Sequence, residues 1–384
     1  MRNRWNVVAI LVLGFVFAGM SLYLILNPER TGVVPNYRQA SAHWWASQNI
    51  YEPGTHGFLY APPFAVLFTP FHLLAPAVLG EIIWRLAGFV FFAWGLWRLA
   101  EVLYARNGQP GTTGTIFLWM VCLALPASLA SIHNGQTNLP LSAALIHLCL
   151  AIRCSRWNLA ALLLTLALVL KPISLAPWLL AFAVFHPIRI PLLTCLLGLG
   201  IVGFTHPSPG YASGQWIDFW EKLIHSYTPE NLRVSDLFGL WEKAGMPNPF
   251  PLNSLTRFVA AISALWFIFW KYRRGGVSNA SWGLWFATAL IWTIFNPRAE
   301  TNSYVLVSPL LAFVAVSDWR EVKGGRWKGA ILAIACIGLM CDGMGKAIYL
   351  ATDVWLKPLI VLLVSPLLFR MPDLWKVESG RREG

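Results

Sequence analysis

Apolar runs close to the ~20 residues that carry a helix across a bilayer recur along the whole of this 384-residue chain. Hydrocarbon offers the backbone no hydrogen-bond partner, so each such run is expected to satisfy its own amides as a helix. Charged residues make up 12% of the sequence, against about 25% in a soluble domain. With 57% hydrophobic residues as well, no stretch is left over for a separate soluble domain. The expected fold is a single all-α, polytopic membrane domain covering 1–384.

The net charge of +12 does not point to nucleic acid, because the basic residues sit in short segments beside apolar runs. That distribution marks the cytoplasmic side of a membrane protein. The 21 tryptophans suit the belts at the two interfaces. Six cysteines occur without a CxxC pair, and Cys122, Cys149, Cys195 and Cys336 lie within apolar runs, so neither a disulfide framework nor a metal site is implied.

Arg2 and Arg4 precede the apolar run 7–26, which reads as an uncleaved first helix entering from inside. The loop 27–58 then falls outside, and Tyr37, Ala40, His43, Trp44 and Ser47 follow a near-helical spacing that fits a short helix in the interface. Pro62, Pro63, Pro70 and Pro76 punctuate 61–79, a segment expected to enter the membrane without crossing it. Further helices are expected over 82–99, 115–132, 139–152, 190–204, 258–270, 282–295, 304–316, 329–350 and 355–369. The run 159–185 is broken by Lys171-Pro172 and reads as a pair. A second extracytoplasmic loop is placed at 205–257 and a cytoplasmic tail at 370–384. Two cytoplasmic termini need an even number of crossings, so about twelve are expected, with re-entrant or broken segments among them.

There is no glycine-rich phosphate loop, GxSxG, HExxH or Cys/His metal spacing. No cofactor is expected; a divalent metal is compatible with the chemistry discussed below, but nothing signals one. Three polar groups at membrane depth or its outer edge remain, and polar groups there are costly enough to mark function. Lys171 stands in a Leu-rich run, where an ammonium costs about 2.5–3.5 kcal/mol unless paired or wetted, and an anionic ligand such as a lipid phosphate would pair it. A lysine snorkelling from a short helix is the plainer alternative. His133, Gln136 and Asn138 cluster before a helix start, placed to bond a sugar or simply to cap the helix. The run 296–304 puts Arg298 and Glu300 between two helices, as phosphate clamp and general base, or as a structural ion pair.

Leu59-Tyr60-Ala61-Pro62-Pro63-Phe64 with Pro70, then Gly135-Gln136-Thr137-Asn138, a basic loop, Lys171-Pro172 and finally Pro297 with Tyr304 resemble, in that order, glycosyltransferase family 87. That group includes polyprenyl-phosphate-mannose-dependent mannosyltransferases. The resemblance implies a GT-C-like bundle in the inner cell membrane. It also implies a polyprenyl-phosphate-linked sugar donor arriving from the lipid and a glycan or glycolipid acceptor from the extracytoplasmic side. Lys171 and Arg298 would bind the donor phosphate; Tyr37, His43, Tyr60, His133, Gln136, Asn138 and Tyr304 would bind sugar or acceptor. In this family an acidic residue of the first outer loop takes the acceptor's proton. The best match to it is Asn36, which cannot act as a base. Glu29, Glu52, His43 or Glu300 must substitute, or the chain has kept the binding of lipid-linked saccharide, or its translocation, without transfer.

Overall fold

The computed structural model describes residues 4–30, 32–105, 113–226, 234–246, 250–320, 325–352, 354–370 and 375. Arg2, Glu230, Arg233 and all of the expected 370–384 tail but Arg370 and Trp375 lie outside them. Every element among the described residues is helical.

Helix α1 (Arg4–Leu26) is followed by α2 (Val34–Trp45), α3 (Pro62–His72) and α4 (Ala77–Ala105). The short helix expected around 37–47 is α2, which turns Val34, Tyr37, Ala40, Ser41 and Trp44 inward and leaves Asn36 and Gln39 outside. Two prolines open α3 at a position where the missing N–H costs nothing. Its 11 residues reach only about 16 Å, well short of the ~30 Å hydrocarbon layer.

Proline also explains the next breaks. The run expected as one helix over 115–132 is divided at Pro126 into α5 (Thr113–Ala124), a 3₁₀ turn and α6 (Leu129–Asn134), with a 46° bend. Then come α7 (Asn138–Arg153), α8 (Trp157–Leu170), α9 (Leu175–Val184) and α10 (Arg189–Val202). Lys171 separates α8 from the 3₁₀ turn Pro172–Ser174 with extended backbone, because the residue before proline is driven out of the helical region. A second break at Phe185 turns the chain by 118° into α10.

The segment expected as an outer loop contains two helices, α11 (Pro209–His225) and α12 (Leu237–Lys243), and the start of α13 (Phe250–Thr293). The α13 range holds two helices joined across a kink, and it is a hairpin. The Phe267 and Phe286 rings lie 5.6 Å apart and the Arg257 guanidinium donates to the Phe295 carbonyl at 3.0 Å. A straight helix would separate those residues by about 28 and 57 Å. The reversal occurs at Gly275-Gly276, where Gly276 takes φ +65° and Gly275 is non-helical. The chain ends in α14 (Ser308–Arg320), α15 (Arg326–Gly338), α16 (Lys346–Thr352) and α17 (Leu356–Phe369).

Among the described residues, three helices are long and apolar enough to cross a membrane, or up to six spans if each bent pair is one, and the hairpin gives α13 two arms. The count of about twelve treated every apolar run except 61–79 as a crossing. Many of those runs are short: α7, the longest of the shorter apolar helices, has 16 residues and reaches about 24 Å. Nearly every residue of α7 from Asn138 to Ile152 is buried, as is α14 from Ser308 to Ser317; both are enclosed by other helices. Helix α7 packs against α4, α8 and α13, and α14 against α5 and α15.

The two ends of this bundle differ in chemistry. Arg153 donates to the Trp375 carbonyl at 2.7 Å and Ser278 donates to the same oxygen at 2.9 Å, so the basic end of α7 and the α13 reversal share one end. Asn138 and the segment 295–300 lie at the opposite end.

Candidate functional site

At that opposite end the chain leaves α13 through 294–300 and enters a 3₁₀ segment, Thr301–Leu306, capped by Glu300. The cap is reciprocal: the Glu300 carboxylate accepts from the Ser303 amide, and the Glu300 amide donates to Ser303 Oγ at 3.2 Å. One carboxylate oxygen of Glu300 takes two further bonds, from Gln136 Nε2 at 3.1 Å and Asn302 Nδ2 at 3.0 Å. A carboxylate has about four lone-pair directions, so three donors leave one for a further partner.

Gln136 is presented by the turn between α6 and α7. Gly135 closes α6 in the left-handed region (φ +62°), the usual helix stop. The Arg85 guanidinium on α4 donates to the Ile132 and His133 carbonyls at 3.2 and 3.1 Å, and Trp84 Nε1 to the Gly135 carbonyl at 2.8 Å. Val33 of the first loop donates to the Asn134 carbonyl at 3.0 Å. The turn is therefore held from several sides.

Asn138, at the start of α7, links Gln136 to the lysine. Its amide donates to Gln136 Oε1 at 2.9 Å and Asn302 Oδ1 at 3.2 Å, while its own oxygen accepts from Lys171 Nζ at 2.8 Å. Lys171 reaches this place because the break before Pro172 frees it from the α8 helix. An ammonium and a carboxylate thus meet in one network of four side chains, with Asn302 closing it.

The Tyr60 hydroxyl lies beside this network, 3.3 Å from Thr137 Oγ1 and 2.8 Å from the Tyr37 hydroxyl. Burial raises both phenols above their ordinary pKa, so they remain neutral hydroxyls able to donate and accept. The Tyr60 ring stacks on Phe64 at 4.6 Å, which fixes its direction.

Arg298 donates to the carbonyls of Thr55 at 3.2 Å and Ser226 at 2.7 Å, and so ties both polar segments to the rim of the site. Burial lowers its pKa while the Glu300 charge opposes that shift. Among the described residues no ion pair within 4.0 Å joins Arg298 to Glu300, so the alternative of a simple pair between them is not what the structure contains.

Other candidates are placed elsewhere. Glu29 is exposed in the turn after α1, and Asn36 lies on the outer face of α2. Glu52 is exposed and accepts from Gln39 at 3.1 Å. His43 bonds the Asn49 carbonyl at 3.0 Å, and His133 bonds Asn134 at 3.1 Å with its ring against Tyr23. Tyr304 is fully buried, its hydroxyl donating to the Ser235 carbonyl at 2.9 Å. Among the described residues no three His, Cys, Asp or Glu side chains are grouped to hold a metal ion.

Sequence reasoning missed Asn302, Thr137 as a partner of Tyr60, and Arg85. Asn302 lay inside the polar run 296–304, and its spacing two residues after Glu300 was the available signal. Arg85, on an apolar helix, was a charge at membrane depth of the kind that marked Lys171.

The family model that describes glycosyltransferase family 87 matches residues 58–275 of this chain. The matched region contains Tyr60, Gln136, Asn138 and Lys171 and ends before Arg298 and Glu300. No curated protein matches the chain. With more than half of its length matched, the chain belongs to glycosyltransferase family 87.

Proposed function

We propose that this protein transfers a hexose, mannose or a sugar like it, from a polyprenyl-phosphate-linked donor to an extracytoplasmic glycan or glycolipid acceptor. The observation that carries the proposal is the joining of Glu300 and Lys171 through Gln136 and Asn138 in a member of a glycosyltransferase family.

In this mechanism Glu300 accepts the proton of the acceptor hydroxyl as its oxygen bonds to the sugar C1. The bond from C1 to the phosphate oxygen breaks, and the polyprenyl phosphate leaves with the electron pair. Lys171 faces that developing charge, and Arg298 adds a second cation once its guanidinium exchanges a carbonyl for phosphate. Tyr37, Tyr60, Gln136 and Asn138 supply the neutral donors and acceptors that a sugar's hydroxyls need. No step requires a metal.

The sidedness follows from charge. Lys271, Arg273, Arg274 and Arg153 gather at the end of the bundle opposite Glu300, and basic residues favour the cytoplasm. That supports a site facing away from the cytoplasm in the inner cell membrane, with both termini cytoplasmic on a GT-C-like bundle. The exposed position of Asn36, where the family's acid is expected, favours a second reading: a binder or translocator of lipid-linked saccharide.

The deciding experiment offers labelled polyprenyl-phosphate hexoses and glycan or glycolipid acceptors to the full chain in nanodiscs. Transfer that disappears in Glu300→Gln supports the proposal. Donor binding without transfer to any acceptor overturns it in favour of the second reading.

A further inference from the structure

Helix α11 carries an exposed apolar stripe on a helix otherwise well anchored. Ile217, Trp220 and Ile224 are 61%, 52% and 71% exposed and share one face by their spacing of three and four. The opposite face is held to the first polar loop: Gln215 accepts from the Ile50 amide at 2.9 Å, Tyr211 donates to the Gln48 carbonyl at 2.6 Å, and Lys222 donates to the carbonyls of Glu52 and Gly54 at 2.6 and 2.7 Å. The stripe is therefore fixed in direction.

What it faces is indicated by α10. That helix exposes Ile190, Leu193, Leu197 and Ile201, a surface only hydrocarbon can cover in a chain of this composition. Where α10 ends, Gly203 receives the Trp216 ring so closely that a Cβ there would lie 2.7 Å from Trp216 Cζ2. Exposed Ile201 and Phe204 flank Gly203, and exposed Ile217 follows Trp216. The two apolar surfaces thus continue into each other at that contact.

We infer that α11 lies in the membrane interface, with Ile217, Trp220 and Ile224 in the outer edge of the acyl layer of the bilayer that holds α10. Its exposed polar residues Glu221 and His225 lie beside the stripe and meet headgroups and water. Such a helix sinks its apolar face about 5–10 Å below the headgroups, and a tryptophan suits that depth. Through Lys222 the same helix holds residues 52–54, one residue from the Thr55 carbonyl that Arg298 grips. If glycosyl transfer is the activity, the interface itself then sets the height of the loop beside Glu300, level with a lipid donor's phosphate.

The test places a spin label at one position at a time in full-length protein in nanodiscs, with Cys122, Cys154 and Cys195 changed to Ser. The positions are Ile217→Cys, Trp220→Cys and Ile224→Cys, with Glu221→Cys and His225→Cys as comparison. Ile217, Trp220 and Ile224 are surface positions, so the labels do not disturb packing. The expected result is a severalfold higher ratio of oxygen to nickel-chelate accessibility at 217, 220 and 224 than at 221 and 225. Free access of the nickel chelate to the three positions would mean an aqueous face, and shielding from both reagents a protein cover; either overturns the inference. No turnover is measured, so this result and that of the transfer assay are independent.

Discussion

Gln136 and Glu300, 164 positions apart, are joined by a hydrogen bond of 3.1 Å from the amide nitrogen to the carboxylate. Asn302 donates to the same oxygen at 3.0 Å, so two neutral amides aim one carboxylate and leave it uncrowded by any cation within salt-bridge distance among the described residues.

Replacing Glu300 by Gln keeps the size of the side chain and removes its proton-accepting charge. Transfer is expected to fall by about 10²–10⁴-fold, the usual contribution of a general base, with donor affinity nearly unchanged. Steady-state rates alongside equilibrium donor binding check this. Loss of both together would point to a collapsed site.

Lys171→Met removes the ammonium that reaches Asn138 at 2.8 Å. Donor affinity is expected to drop about tenfold or more, equivalent to roughly 1.4 kcal/mol, and Lys171→Arg to restore part of it. Titration with a polyprenyl phosphate lacking the sugar isolates the phosphate contribution. An unchanged affinity for that lipid would remove Lys171 from the phosphate site.

Gly135→Ala tests the turn that presents Gln136. Its φ of +62° costs an L-residue about 1–2 kcal/mol, and the new Cβ would meet Val34 and lie 3.0 Å from the Arg85 guanidinium carbon. The variant is expected to unfold at lower temperature and to lose transfer by more than that destabilisation alone explains, because Gln136 moves with the turn. Thermal unfolding in nanodiscs, measured beside turnover, separates the two effects.

Lys357 fastens the other side. Its ammonium pairs with Asp342 at 2.8 Å and donates to the Thr301 carbonyl at 2.9 Å, next to Glu300, with the lysine side chain 1% exposed. Lys357→Met leaves a largely buried carboxylate unpaired, at a cost of about 3–5 kcal/mol. Adding Asp342→Asn should recover much of the lost stability. A double variant no more stable than the single one would show that the pair is not what holds this region.

The membrane class and the helical state were legible locally, because hydrophobicity over ~20 residues and the damage done by proline are properties of short windows. Local too was the oddity of Lys171 inside a Leu-rich run, and of the short polar clusters around Gln136 and Glu300 between apolar helices. Two other features were not legible. The basic run after Trp270 reads as a loop, yet Lys271 stays helical with its ammonium over Phe267, Trp270 and Phe369, and the chain reverses only at Gly275-Gly276. Asn302 drew no notice because its one local signal, the spacing of two residues after Glu300, does not set it apart from the other polar residues of that run.

The sequence by itself determined that this chain is a helical membrane protein, that its helix breaks at Lys171-Pro172, and which polar residues are too costly at their depth to be incidental. Only the tertiary structure decided which of them meet. Lys171, Asn138, Gln136 and Glu300 converge, whereas Glu29 and Asn36 are turned to the outside and His43 is spent on a local carbonyl. The reason is physical: hydropathy acts along the chain, but a hydrogen bond requires atoms within about 3 Å, and the packing of α4, α7, α8 and α13 brings together residues more than a hundred positions apart.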